Sequence, residues 1–84
     1  MSKIMVIDDD ARLSGLIQDF LTPHKYHVEC FNDPVVALKK IKSVKPDLII
    51  LDIMMPEMDG FQVLRKIREN QLIPVIMLTA RGEV

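Results

Sequence analysis

Leu48-Ile49-Ile50-Leu51 is a run of four aliphatic residues that ends in one carboxylate, Asp52, and breaks at Met54-Met55-Pro56. With no polar alternation, the run suits a strand covered on both faces, the expected state of a central strand in a parallel sheet. Asp52 then stands at a carboxyl end. In open α/β sheets the ligand crevice lies outside those ends, near the point where strand order reverses, so an acid there is a candidate for use.

The rest of the chain repeats this form. Lys3-Ile4-Met5-Val6-Ile7 reads as a first strand that stops at Asp8-Asp9-Asp10. Leu13, Leu16, Ile17, Phe20 and Leu21 then recur at helical spacing, with Asp10 placed to cap the first turn and Thr22-Pro23 to end the helix. A second strand, Tyr26 to Phe31, alternates more and so belongs nearer an edge or is half covered. Asp33-Pro34 is a helix start, with Ala37, Leu38 and Ile41 facing inward and Pro46 closing. Lys39, Lys40, Lys42 and Lys45 read as a solvated face complementing that helix's dipole. After Asp52, Asp59 caps a third helix whose expected buried side is Phe61, Leu64 and Ile67, and Pro74 to Thr79 forms a fourth strand. The alternation β-α-β-α-β-α-β argues for a doubly wound parallel sheet with helices on both faces.

Composition narrows the function. With 84 residues, 49% hydrophobic and 27% charged, the chain reads as a single soluble domain, and a net charge of −1 gives no basic field for nucleic acid. No apolar run approaches the roughly 18 residues needed to cross a bilayer. A single cysteine, Cys30, excludes an internal disulfide, fits a reducing cytoplasm, and reads as a small buried hydrophobe.

The polar residues have their own pattern. Asp8-Asp9, Asp52 and Thr79 each occur where a strand gives way to its loop, so they converge on one rim. Two carboxylates about 4 Å apart repel by roughly 4 kcal/mol at an effective dielectric near 20, so a crowded group needs positive charge. Mg²⁺ suits it, taking oxygen ligands from one or two carboxylates and a phosphate. Asp10, Asp33 and Asp59 are assigned to helix caps instead.

Ile7-Asp8-Asp9-Asp10, then Leu51-Asp52-Ile53-Met54-Met55-Pro56-Glu57-Met58-Asp59-Gly60, then Val75-Ile76-Met77-Leu78-Thr79-Ala80-Arg81 together resemble the receiver domain of two-component response regulators. The tail Leu78 to Glu83 is similar in particular to receivers that carry a C-terminal winged-helix DNA-binding domain. The resemblance implies a flavodoxin-like, three-layer fold of strand order 2-1-3-4, with residues 1–84 the N-terminal part of the receiver. It implies a cytoplasmic phosphorelay protein rather than an enzyme acting on other substrates. Asp52 would be the phosphoacceptor for a sensor histidine kinase, as carboxylate nucleophiles are in other aspartyl-phosphate systems. Asp8, Asp9, Asp52 and the backbone carbonyl of Met54 would hold Mg²⁺, with Mn²⁺ as a substitute, and Thr79 would contact the phosphoryl group and switch the surface. Pro56 and Gly60 would shape the loop. Kinase specificity would reside around Arg12, Ser14, Gly15 and Gln18, and DNA would be bound only through a C-terminal domain outside these residues.

The family's fifth strand and its lysine have no counterpart before Val84, so either a longer chain or a partner supplies them. The alternative function is a receiver-like interaction module that no longer switches. A haloacid-dehalogenase-type phosphatase would place a second aspartate where Met54 stands, and a flavin binder would not place three acids after its first strand. Unpaired strand edges recruit other edges. Losing about 200 Å² of apolar burial costs on the order of 5 kcal/mol, comparable to a small domain's stability. The 84 residues alone are therefore expected to self-associate through the fourth-strand side, exchange elements between chains, or be partly unfolded.

Overall fold

The computed structural model describes residues 2–56 and 58–78. Four strands, β1 (Lys3–Ile7), β2 (His27–Phe31), β3 (Leu48–Asp52) and β4 (Val75–Leu78), form one sheet in the order β2-β1-β3-β4. Every pairing is parallel. The two inner strands are the most deeply buried: Met5, Val6, Ile7, Ile49 and Leu51 are fully buried. The more alternating β2 lies at one edge, as its pattern predicts, and β4 forms the other edge among the described residues.

Among the described residues, three α-helices pack on the two faces. Helix α1 (Ala11–Leu21) lies against the face carrying Ile4, Val6 and Val28, through Ile17 and Leu21. Helices α2 (Pro34–Val44) and α3 (Gly60–Arg68) cover the opposite face, where Ala37, Ile41, Val63 and Ile67 meet Met5, Ile7, Ile49 and Leu51. Alternate residues of each strand thus serve different layers, as the pleat requires.

All three helices begin as their capping residues predict. Asp10 accepts from the N–H groups of Arg12 and Leu13 at 3.0 and 3.1 Å, and Asp33 from Val35 and Val36 at 2.8 and 3.4 Å. Asp59 accepts from Gln62 N–H at 2.9 Å while the Gln62 side chain returns the contact to Asp59 N–H at 3.1 Å, a reciprocal capping box.

Two expected faces are corrected. On α3 the buried residues are Gly60, Val63 and Ile67; Leu64 is half-buried and Phe61 is 54% exposed. Gly60 is the cause, since its bare backbone fits directly against the end of β3 and its N–H donates to Ile53 O at 2.7 Å. That approach turns the 60-63-67 stripe inward and Phe61 out. On α1 the only buried residue is Ser14, and Leu16 and Phe20 are 59% and 71% exposed. They border an apolar groove floored by Ile50, Ile76 and Leu78, because α1 sits over β1 and β2 and no described helix covers β3 and β4 on this face.

The two glycines of the helices make opposite predictions. A Cβ on Gly60 would stand 2.5 Å from Asp52 O and 2.7 Å from Ile53 Cα, so Gly60→Ala is expected to cost about 1–3 kcal/mol or more. Gly15, inside α1, has nothing within 4 Å of its would-be Cβ, so Gly15→Ala should stabilise by about 1 kcal/mol. Denaturant titration of each variant beside the parent checks both signs.

Candidate functional site

The sheet register builds the site. β1 and β3 are neighbours with Ile7 opposite Leu51, so the next residue of each, Asp8 and Asp52, emerge side by side at the carboxyl rim. Asp8 N–H donates to Phe31 O at 3.0 Å, which carries the β1–β2 ladder one residue past Ile7. Asp8 and Asp52 are both buried, at 2% and 5% exposure, while Asp9 is exposed. Each offers a carboxylate oxygen that lies within 4.8 Å of the other two.

The hydrogen bonds around these acids are too few to satisfy them. Asp8 Oδ1 accepts from Asp10 N–H at 2.8 Å, but its Oδ2 is buried without a hydrogen-bond partner among the described residues. Asp52 Oδ1 accepts one long bond from Met54 N–H at 3.3 Å. Burial pushes the Asp8 carboxyl above the ordinary value near 3.8; the Asp10 N–H opposes this, and the charges of Asp52, Asp9 and Asp10 add to it. Asp52 is raised chiefly by burial as well, against the Met54 N–H, with the Asp9 charge adding. The ordinary remedy for an orphaned, buried carboxylate is a cation, and an all-oxygen donor set suits a hard divalent ion. The residues present therefore fit such an ion.

The sequence-predicted residues divide clearly. Asp8, Asp9 and Asp52 come together; Asp10, Asp33 and Asp59 do not join them, because each is engaged at a helix start. Met54 borders the group through its N–H, with a side chain 51% exposed. Thr79 lies outside the described residues. Ser14 and Gln18, read as recognition positions, point inward instead: Ser14 is 1% exposed and its hydroxyl donates to Asp10 O at 3.1 Å, and Gln18 Nε2 donates to Val28 O at 3.0 Å. Arg12 remains exposed. Cys30 Sγ donates to Ser14 O at 3.4 Å and burial pushes its thiol up, in keeping with a packing role.

One contributor was hidden in the sequence. Asn32 Nδ2 donates to the backbone oxygen of Asp8 at 2.8 Å, reaching the acidic turn from the end of β2. In sequence the residue is absorbed into the helix-start signal Asn32-Asp33-Pro34; only the parallel β1–β2 pairing brings it to Asp8.

Among the described residues no helix is long and apolar enough to cross a membrane. Residues 4–84 match the family model of the response regulator receiver domain. The chain is 43% identical over 82 residues to the alkaline phosphatase synthesis transcriptional regulatory protein PhoP of Bacillus subtilis, covering 96% of this chain and 34% of that protein. It thus spans about a third of the length of the curated relatives it matches. The crystal structure of the N-terminal domain of a response regulator receiver protein from Methanoculleus marisnigri superimposes with a TM-score of 0.91 at 31% identity, over 100% of this chain and 71% of that one. The response regulator TrrA from Thermotoga maritima, solved in complex with Mg²⁺-BeF, gives a TM-score of 0.89 at 35% identity, over 98% and 72%. A doubly wound parallel sheet of order 2-1-3-4 with an acidic rim, and a family match over nearly every residue, place this chain in the response regulator receiver domain family.

Proposed function

We propose that this chain is the N-terminal part of a cytoplasmic phosphorelay receiver in which Asp52 accepts a phosphoryl group from a sensor histidine kinase. The observation that carries this reading is the placement of Asp52 at the end of β3, buried, and within 4.8 Å of Asp8 and Asp9 through one carboxylate oxygen each. A carboxylate oxygen of Asp52 attacks the phosphorus of a phosphohistidine protonated at its other ring nitrogen; the new O–P bond forms as the N–P bond breaks, leaving an acyl phosphate and a neutral imidazole that keeps that proton. Met54 N–H, already bonded to Asp52 Oδ1, fixes the carboxylate's rotation so that one oxygen faces the rim. Asp8, Asp9, Asp52 and the backbone carbonyl of Met54 are the groups that would hold Mg²⁺, or Mn²⁺ in its place. When bound, such an ion supplies the charge that offsets the carboxylates and the phosphoryl oxygens.

The resemblance assigns to Thr79 the phosphoryl contact that switches the surface. The chain transfers nothing to other substrates; the transfer onto itself is the signal. The kinship to PhoP, a transcriptional regulatory protein, supports transcription as the output, with DNA bound by a C-terminal domain beyond these residues. Incubation with acetyl phosphate and Mg²⁺ should add the mass of one phosphoryl group, located to Asp52 by peptide mapping. Asp52→Asn should abolish the adduct, and Asp9→Ala should weaken Mg²⁺ binding about tenfold or more. A phosphoryl adduct that persists in Asp52→Asn would overturn the assignment, and a chain that takes up none would be an interaction module instead.

A second reading concerns the 84 residues as an isolated chain. The edge of β4 and the groove bordered by Leu16, Phe20 and Ile76 favour self-association on that side. Sedimentation velocity should show concentration-dependent dimers or larger species, reduced by Ile76→Lys. A compact monomer at every concentration would refute it.

A further inference from the structure

The geometry points to Asn32 and Ser14 as positioning residues for the turn that carries Asp8 and Asp9, an inference that rests on the phosphoacceptor reading above. The carboxylates of Asp8 and Asp10 are tied to backbone N–H groups, whereas that of Asp9, exposed between them, has no such tie among the described residues. The two peptide groups that flank it therefore set where its side chain leaves the backbone, and so the position from which its carboxylate reaches the rim. The peptide after Asp9 is held through Asp10 N–H, which donates to Asp8 Oδ1 at 2.8 Å. The peptide before it is held through Asp8 O, which accepts from Asn32 Nδ2 at 2.8 Å and faces Ser14 Oγ at 3.5 Å.

The two side chains act as one clamp. Asn32 has two N–H groups; one reaches Asp8 O and the other Ser14 Oγ at 3.3 Å. A backbone carbonyl can only accept, so the nitrogen of the amide must be the atom on that side. Ser14, buried at 1% exposure, receives this bond and donates onward to Asp10 O at 3.1 Å. The turn between β1 and α1 is thus gripped from α1 by Ser14 and from the far end of β2 by Asn32, a residue 24 positions away in sequence. Asn32 itself is exposed, so its loss removes little packing, and the donor it supplies is what matters. Outer hydrogen-bond partners that orient metal ligands typically alter metal affinity by about 10–100-fold when removed. Here the clamp acts through the backbone, and an effect at the lower end is expected.

The test uses the full-length protein that carries this chain, with Mg²⁺ alone as the probe. Asn32→Leu should raise the Mg²⁺ dissociation constant about five- to tenfold, with a melting midpoint in EDTA close to that of the parent. Asn32→His, which places a ring N–H at similar reach, should bring the constant back to within about twofold. Ser14→Ala should weaken binding too, and its effect should not add fully to that of Asn32→Leu, since Ser14 Oγ accepts the second N–H of Asn32 and the two side chains form one network. In metal-free protein the Asp8 carbonyl ¹³C resonance should move in Asn32→Leu and return in Asn32→His. An unchanged dissociation constant in Asn32→Leu, or a loss that Asn32→His does not restore, overturns the clamp and leaves the phosphoacceptor reading standing. Failure of the unaltered protein to bind Mg²⁺ overturns both.

Discussion

Mutual repulsion among Asp8, Asp9 and Asp52 is the interaction around which the carboxyl rim is built. The parallel pairing of β1 and β3 forces it: with Ile7 opposite Leu51, two acids that end two inner strands must emerge together, beside a core that excludes water. At an effective dielectric near 20, two such charges about 4 Å apart oppose each other by roughly 4 kcal/mol, a large fraction of a small domain's stability. Burial adds to the cost, and both buried carboxyls are held above their ordinary range. A fold accepts such a penalty where strain serves function, and the function proposed above supplies the reason: a rim primed for a cation and a phosphoryl group.

The surrounding polar groups restrain the acids without neutralising them. Met54 N–H, Asp10 N–H, Asn32 and Ser14 fix rotamers and peptide planes, yet Asp8 Oδ2 remains orphaned among the described residues. The contrast with the other aspartates is instructive. Asp10, Asp33 and Asp59 each accept backbone N–H bonds at a helix start, where the dipole favours negative charge. Residue type is the same in both groups; the difference lies in whether the backbone supplies donors. Gly60 completes the arrangement by letting α3 begin directly against Asp52 O, so the loop after the acid is short and held at both ends.

Much of this was legible in the residues because it depends on local rules. The bounds of β1, the end of β3 at Asp52 and all three caps follow from apolar runs and Asp or Asp-Pro signals. The convergence of Asp8, Asp9 and Asp52 follows from strand alternation. What periodicity alone could not supply was the rotation of each helix. Ser14 and Val63 are buried while Leu16, Phe20 and Phe61 are exposed, because the rotation of α1 is set by contact with β1 and β2, and that of α3 by the glycine seat at Asp52. Asn32 escaped for a different reason: its function depends on a pairing between strands far apart in sequence, and its neighbours already explained it as part of a turn.

The most direct test of the charge-crowded rim is conformational stability against pH, with and without Mg²⁺, in the parent and in Asp52→Asn. A carboxyl whose folded-state value is raised contributes stability that is fully present below the unfolded value near 3.8 and is lost as pH rises through the folded value. In EDTA, Asp52→Asn should therefore gain on the parent as pH rises through that window, ending the more stable of the two at neutral pH. Saturating Mg²⁺ should stabilise the parent at neutral pH far more than the variant, erasing or reversing the difference. A variant less stable than the parent in EDTA at neutral pH, or an equal response of both proteins to Mg²⁺, would contradict the crowded, cation-seeking rim.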